Sequence, residues 1–269
     1  MDPVTPLRSL LSVRLSAGYK LQEPVLDDLD LEIGVGEAVG LVGESGSGKS
    51  TLARSLLRLE RFSGGWSRGS LVFEGQELMR CSERDLRSLR GRRMALVLQS
   101  PMTALNPSLR IETQLKEAWR AHSGYKGAAA FDEVASSALT DVHLPSDRAF
   151  LRRYPGQISV GQAQRVLIAM AILHRPALLI ADEATSSLDA LTRAGVLNLF
   201  QELNRRLNMA LLFISHDLPS VLEVSDRVAV LRGGRIVETG SPEDIVSRPA
   251  ETYTRRLVEA VLSASPTRR

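Results

Sequence analysis

The residues best suited to chemistry form a glycine-rich run near the start of the chain: Gly43, Glu44, Ser45, Gly46, Ser47, Gly48, Lys49 and Ser50. The run matches G-x-x-x-x-G-K-[ST], in which glycines let successive backbone N–H groups curl round phosphate oxygens. Thr51 and the residues after it can start a helix, whose N-terminus adds partial positive charge. Lys49 can reach the β- and γ-phosphates, and Ser50 can ligate Mg²⁺. The run predicts a site for a nucleoside triphosphate.

A pair of acids follows an apolar segment later in the chain. Residues 178–181 are apolar, and Asp182 and Glu183 come directly after them. A carboxylate at the end of a buried strand is costly unless a cation or hydrogen bonds stabilise it. Beside a phosphate-binding loop, we expect Asp182 to hold Mg²⁺ through water and Glu183 to orient or deprotonate the attacking water. The alternative is an acid pair placed at the N-terminus of a helix.

Two kinds of strand are predicted around these residues. Apolar and polar residues alternate over 11–15 and 29–33, a pattern typical of a half-exposed antiparallel sheet. Residues 38–42, 177–181 and 210–214 are apolar almost throughout, as in a sheet covered on both faces. Helical patterns at about 190–207 and 218–224 separate the later strands, so an α/β fold with a parallel sheet is expected.

The middle of the chain differs in character. It has no convincing strand from about 101 to 174, and its spacing is compatible with helices at 109–122, 129–141 and 161–174. We therefore predict a single domain over residues 8–262, with an α/β core built from about 8–100 and 175–262. A helical subdomain at about 101–174 is inserted into this core. An amphipathic helix is expected at 252–262, and a polar tail at 263–269.

Composition narrows the class of protein. Of the 269 residues, 43% are hydrophobic and 24% are charged, which is typical of a globular protein and excludes wholesale disorder. A single cysteine, Cys81, excludes an internal disulfide and a cysteine-rich metal site. The net charge is +3, and the short arginine clusters at 90–93 and 205–206 suit solvated faces, so no nucleic-acid partner is expected. Without an apolar run long enough to cross a membrane or a secretory signal, the chain is expected to be cytoplasmic.

The order of these motifs along the sequence resembles that in the ATP-binding subunits of ABC transporters. Residues 157–165 (QISVGQAQR) resemble the LSGGQ-type signature of that family, about 20 residues before the Asp182–Glu183 pair. Gln99 falls at the family's Q-loop position, and residues 187–189 (SLD) resemble its D-loop. His216 falls at the switch histidine, and Tyr19 at the aromatic position that stacks on adenine. The resemblance spans roughly residues 10–260 and implies a P-loop NTPase (RecA-like) core with an N-terminal antiparallel β subdomain and an inserted helical subdomain.

The resemblance also implies ATP and Mg²⁺ as cofactors and, as the working unit, a dimer with a second ATP-binding subunit, which is either another copy of this chain or, as the altered signature favours, a different chain. Two subunits would sandwich two ATP molecules, each lying between one P-loop and the partner's signature helix. The residues expected to take part in catalysis are Lys49, Gln99, Glu183 and His216. Those expected to contact nucleotide are Tyr19, Gly43, Glu44, Ser45, Gly46, Ser47, Gly48, Lys49, Ser50, Thr51, Gln99, Ser159, Gly161, Gln162, Asp189 and His216. Those expected at the metal are Ser50, Gln99 and Asp182.

Two further segments resemble one branch of the family, the oligopeptide, dipeptide and nickel importers. They are residues 99–107 (QSPMTALNP) and 248–255 (RPAETYTR), although the branch usually carries His-Pro where this chain has Glu251-Thr252. The implied function is to energise an importer whose permease subunits are separate chains, from the cytoplasmic face of the membrane. One alternative is a non-transport ABC-type ATPase, such as a subunit of a carbon–phosphorus bond-cleaving complex. Another is a P-loop kinase for a small molecule.

One position departs from the signature pattern. Val160 stands where the family has the first glycine, and a β-branched side chain is expected to crowd a backbone that approaches phosphate closely. We hypothesise that the composite site using this signature is weakened and that a different partner subunit supplies a better one. The alternative is a tolerated variation. The transported solute is not encoded in these motifs.

Overall fold

The computed structural model describes residues 9–19, 23–123 and 128–264. The chain divides into two compact units. The flanking unit comprises Met1–Leu86 and Ala210–Arg269, and the central unit comprises Arg87–Met209. Residue 8 and most of the predicted polar tail, from 265 onward, lie outside the described residues.

The strands of the flanking unit are β1 (Ser9–Tyr19), β2 (Leu26–Gly34), β3 (Ala38–Val42), β4 (Gly65–Phe73), β5 (Gln76–Glu77), β8 (Ala210–Ser215), β9 (Arg227–Arg232) and β10 (Arg235–Gly240). Those of the central unit are β6 (Met94–Val97) and β7 (Leu178–Asp182).

The α-helices are α1 (Lys49–Leu56), α2 (Glu83–Leu89), α3 (Pro101–Ala104), α4 (Ile111–Ser123), α5 (Ala128–Asp141), α6 (Arg148–Leu151), α7 (Val160–Ile172), α8 (Ala190–Leu207), α9 (Leu218–Val224), α10 (Pro242–Ser247) and α11 (Thr252–Ala264). No helix in the described part of the chain is long and apolar enough to cross a membrane.

An antiparallel sheet with the strand order β2-β1-β4-β5 forms one layer of the flanking unit. β1 and β2 pair antiparallel, and their buried residues alternate with more exposed ones, as the period-two pattern predicts. β4 has no such pattern and is not predicted from the sequence. It nevertheless pairs with β1 along its full length, from Leu11 opposite Phe73 to Tyr19 opposite Gly65.

The second sheet of the flanking unit has the order β10-β9-β3-β8. β3 lies between β8 and β9 and is parallel to both. All five residues of β3 and all six of β8 are buried, in agreement with their uniformly apolar sequences. The register places Val42 opposite Ser215 on one side and opposite Val230 on the other, so the last residue of β3 is held by both neighbours.

The central unit combines one pair of strands with helices. β6 and β7 are parallel, with Met94 opposite Leu178 and Val97 opposite Ala181. The described residues between these two strands form helices α3 to α7 and no strand. The predicted α/β fold, with an antiparallel sheet near the N-terminus and a helical insertion, is confirmed, whereas the exact limits of a helical subdomain at 101 and 174 stay a prediction.

Candidate functional site

The glycine-rich run forms a tight loop between β3 and α1, where the sequence places it. Gly46 and Gly48 adopt positive φ angles of 83° and 110°, a conformation that side chains other than glycine rarely tolerate. A Cβ atom on Gly48 would lie 2.6 Å from Leu26 Cδ2, and one on Gly43 would lie 2.3 Å from the carbonyl oxygen of Leu231. The loop therefore needs its glycines both for conformation and for close packing against β2 and β9.

Lys49 turns back into the loop. Its Nζ donates hydrogen bonds to the carbonyl oxygens of Gly43 at 2.7 Å and of Glu44 at 2.9 Å, and the residue is only 7% exposed. The hydroxyl of Ser47 is also buried and has no hydrogen-bond partner among the described residues. The loop has no room for side chains at Gly43 and Gly48, and it holds the buried ammonium group of Lys49 and the buried hydroxyl of Ser47. These features fit the phosphates of a nucleotide.

His216 follows the strand next to the loop. Because Val42 pairs with Ser215, His216 and the first residue of the loop, Gly43, lie one residue further along adjacent parallel strands. Asp217 fixes this turn, since its N–H donates to Ser215 Oγ at 3.0 Å and its carboxylate accepts from the N–H of Ser220 at 3.1 Å. His216 itself is exposed. The structure thus brings the predicted histidine beside the predicted phosphate loop.

Tyr19 is the last residue of β1, in the same unit as the loop. The residue is half-buried, and its hydroxyl is buried with no hydrogen-bond partner in the described part of the chain. Its predicted contact with adenine stays a prediction.

The central unit carries the acid pair and Gln99 at the carboxyl ends of β6 and β7. Asp182 ends β7, Glu183 follows it, and Gln99 lies two residues beyond the end of β6. The hydroxyl of Ser187 donates to the carbonyl oxygen of Gln99 at 3.3 Å, so the predicted Q-loop and D-loop are in contact. Glu183 has a φ of 52°, in the left-handed region that residues with a side chain seldom adopt, and six other non-glycine residues in the described part of the chain share this feature.

The signature segment begins helix α7. Ser159 caps the helix by accepting the N–H of Gln162 at 3.2 Å, and the Gln162 side chain accepts the N–H of Ser159 at 3.1 Å. Val160 is the first residue of the helix and is 43% exposed. The valine is therefore accommodated within the chain itself, and its predicted effect on a phosphate held by a partner stays a prediction.

Gly161 packs against helix α8. A Cβ atom at this position would lie 2.6 Å from Thr192 Cγ2. Thr192 is held in turn by Asp189, whose carboxylate accepts its N–H at 3.0 Å and its hydroxyl at 2.7 Å. These hydrogen bonds from the backbone and side chain of Thr192 lower the pKa of Asp189. Asp189 is thus the N-cap of α8, and the signature and D-loop residues are linked through one threonine.

Two contacts of the loop are not anticipated from the sequence. The N–H of Glu44 donates to the hydroxyl of Tyr253 at 3.0 Å, and the N–H of Gly234 donates to the carbonyl oxygen of Ser47 at 3.1 Å. Tyr253 belongs to a segment that the sequence marks only as typical of one family branch. A contact between residues 209 positions apart has no local signature, so only the fold reveals it.

The predicted metal ligands are a hydroxyl (Ser50), an amide (Gln99) and a carboxylate (Asp182). Oxygen donors of this kind, few in number, suit Mg²⁺, which is usually held by one or two protein groups together with substrate phosphates. The donor chemistry therefore fits the ion.

Comparison with known proteins agrees with these features. Residues 26–186 match the family model described as ABC transporter. The chain is 40% identical to the uncharacterized ABC transporter ATP-binding protein YejF of Escherichia coli over 96% of its own length, but spans only half of that protein. It is 41% identical to the oligopeptide transport ATP-binding protein OppD of Salmonella typhimurium, over 88% of this chain and 70% of that protein. Among solved structures, the dimeric, post-hydrolysis ATP-binding cassette MJ0796 bound to ADP and Pi matches with a TM-score of 0.72 at 24% identity, over 86% of this chain and 98% of that one.

Proposed function

Because the chain belongs to the ABC transporter family, we propose that it binds and hydrolyses ATP to energise a membrane importer of peptides or related small solutes. The solute class is supported by the name of the OppD relative, an oligopeptide transport protein. The observation that carries the proposal is the phosphate loop itself, closed round a buried Lys49 with His216 on the neighbouring strand.

Each part of the nucleotide has a candidate partner. Backbone N–H groups of the loop and of the first turn of α1, together with Lys49, bind the phosphates, because helix N-termini and glycine-rich loops attract anions. Tyr19 stacks on the adenine ring. Ser50, Gln99 and Asp182 hold Mg²⁺, which when bound offsets the negative charge of the phosphates.

Hydrolysis needs a group that takes or directs a proton from water. We assign this role to Glu183, because it directly follows Asp182 at the carboxyl end of β7 and a carboxylate can accept a proton from water. Gln99 orients the attacking water, and His216 donates to the γ-phosphate. The Gln99–Ser187 hydrogen bond supports a common response of these two loops to the nucleotide.

The proposed working unit contains a second ATP-binding subunit. Ser159, the Gly161 N–H and Gln162 lie at the N-terminus of α7, a helix of 13 residues, and bind the γ-phosphate of ATP held by the partner. Asp189 of this chain lies at the same interface with the partner. The dimeric state named for MJ0796 supports this arrangement. Because Val160 alters the signature, the partner is a different chain that carries a complete one.

Permease subunits on separate chains complete the transporter and hold this chain at the cytoplasmic face of the membrane. The helical subdomain at about 101–174 transmits the opening and closing of the dimer to them. Neither an ABC-type ATPase outside transport nor a small-molecule kinase is favoured by the comparisons, since the relatives are transport proteins by name.

The experiment is phosphate release by the complex of this chain with co-purified permease, reconstituted in vesicles with peptide. ATP hydrolysis and peptide accumulation should both disappear in Lys49→Ala. If ATP is consumed only when a small-molecule acceptor is added, and the acceptor becomes phosphorylated, the chain is a kinase and the proposal is wrong. If ATP is hydrolysed but no permease co-purifies, the chain is an ATPase that does not serve transport, and the proposal is wrong.

A further inference from the structure

The segment of residues 248–255, which we call the C-terminal clamp, has no role in the mechanism above. It runs from the end of α10 into the first turn of α11. Glu238 on β10 ties it down, because its carboxylate accepts the N–H of Ala250 at 2.8 Å and of Glu251 at 3.0 Å. The clamp is therefore fixed to the same sheet that carries β3 and the phosphate loop.

Tyr253 is the residue of the clamp that reaches the loop. It is only 6% exposed, and its hydroxyl oxygen accepts the N–H of Glu44 at 3.0 Å. The guanidinium of Arg232, at the end of β9, lies 5.1 Å from the centre of its ring and holds the ring in place. Burial raises the pKa of Tyr253, and the charge of Glu44 adds to the effect, so the hydroxyl stays protonated at neutral pH.

Glu44 connects this contact to the phosphate-binding lysine. Its N–H is held by Tyr253, while its carbonyl oxygen accepts Lys49 Nζ at 2.9 Å. A Cβ atom on neighbouring Gly43 would lie 2.3 Å from the carbonyl oxygen of Leu231, so the loop passes close to β9 at this position. Glu44 thus lies between the clamp, through Tyr253, and the phosphate-binding Lys49.

We propose that Tyr253 is a positioning residue that fixes the phosphate loop in its nucleotide-binding shape before ATP arrives. A loop already held in shape loses less conformational freedom when it binds, so the tyrosine strengthens ATP binding without touching the nucleotide. The proposal deepens the ATPase function proposed above and rests on it only for the identity of the ligand.

Tyr253→Phe tests the proposal, because it keeps the buried ring and removes only the hydroxyl. We expect the Kd and KM for ATP to rise about threefold to tenfold, the effect of one lost hydrogen bond. The kcat of the transporter complex should stay within about twofold, because the groups assigned to hydrolysis are unchanged. A general loss of folded protein would lower kcat and leave KM alone.

Hydrogen exchange gives a second readout that needs no nucleotide. In the ATP-free chain, the peptide containing Glu44 should exchange faster in Tyr253→Phe than in the wild type. Thr254→Val is the matched control, because it removes the neighbouring buried hydroxyl, which interacts with Glu238 and not with Glu44. Glu238 keeps its hydrogen bonds to the backbone of the clamp in this variant, so the clamp stays attached to β10. Thr254→Val should leave both ATP affinity and exchange at Glu44 unchanged.

An unchanged ATP Kd in Tyr253→Phe overturns the proposal, whether or not exchange at Glu44 rises. A weaker Kd without faster exchange also overturns it, because the effect then does not pass through the loop. If Thr254→Val weakens ATP binding as much as Tyr253→Phe does, the clamp acts only through general packing, and the proposal is also overturned. If the wild-type complex binds ATP but drives no transport, while both expected effects of Tyr253→Phe are seen, only the proposed function fails.

Discussion

The packing of Gly161 against Thr192 makes a quantitative prediction. In Gly161→Ala the new Cβ would lie 2.6 Å from Thr192 Cγ2, roughly 1 Å short of an ordinary carbon–carbon contact of about 3.5–4.0 Å. Thr192 cannot turn away freely, because its N–H and its hydroxyl both bind Asp189. One of the two helices must therefore shift, or the hydrogen bonds to Asp189 must be lost.

The expected cost of this overpacking is about 1–3 kcal/mol in the free energy of unfolding. Part of it is hidden in the single variant, since alanine favours a helix over glycine by roughly 1 kcal/mol. Thr192→Ser separates the two effects, because it removes the clashing methyl group and keeps the hydroxyl that binds Asp189. In the serine background, Gly161→Ala should be neutral or stabilising, which gives a coupling energy of about 1–3 kcal/mol between the two positions.

Urea denaturation followed by circular dichroism measures the free energy of unfolding of the wild type, of the two single variants and of the double variant. Gly156→Ala serves as the control, since a Cβ atom there meets nothing within 4 Å and its backbone is not left-handed. It should change stability by less than about 0.5 kcal/mol. A coupling energy below about 0.5 kcal/mol between positions 161 and 192 would refute the packing argument, because distant, independent sites show values of that size.

Three further variants test other features. Glu183→Gln should lower ATP turnover about 10²–10⁴-fold while ATP stays bound, and normal hydrolysis by this variant would show that Glu183 is not the base. Gln164 is fully buried with both polar atoms unpaired among the described residues, so Gln164→Met should raise the free energy of unfolding by about 1–3 kcal/mol, and a lower melting temperature would contradict this. Val160→Gly should raise ATP turnover in the assembled transporter, and no change there would mean that the valine is a tolerated variation.

The sequence predicts well those elements whose periodicity is strong. β3, β7 and β8 are recognised because parallel strands covered on both faces are uniformly apolar. β4 is not predicted because its glycines, serines and arginine break any alternation, and only its pairing with β1 makes it a strand. The order of motifs along the chain is local information, so it can be read from the sequence, whereas the roles of the site residues stay predictions.

The contacts between distant residues could not be predicted. Nothing near Tyr253 indicates that its hydroxyl reaches Glu44, and nothing near Thr192 indicates a contact with Gly161. The left-handed backbone of Glu183 could not be predicted either, because its residue type does not favour that conformation. Sequence patterns therefore indicate which groups take part, whereas packing decides how firmly each is held.

The position of β3 between two strands from the far end of the chain bears on how the protein is made. Ala38 pairs with Leu211, and Val39 pairs with Arg227, so neither neighbour of this strand exists until the ribosome has added most of the chain. Pairing between segments so distant in sequence is intrinsically slow, and an unpaired apolar strand invites aggregation. A nascent chain that stops before about residue 210 therefore leaves the strand that supports the phosphate loop without either partner, and one that stops before about residue 227 leaves it with β8 alone. We expect the loop to form among the last steps of folding.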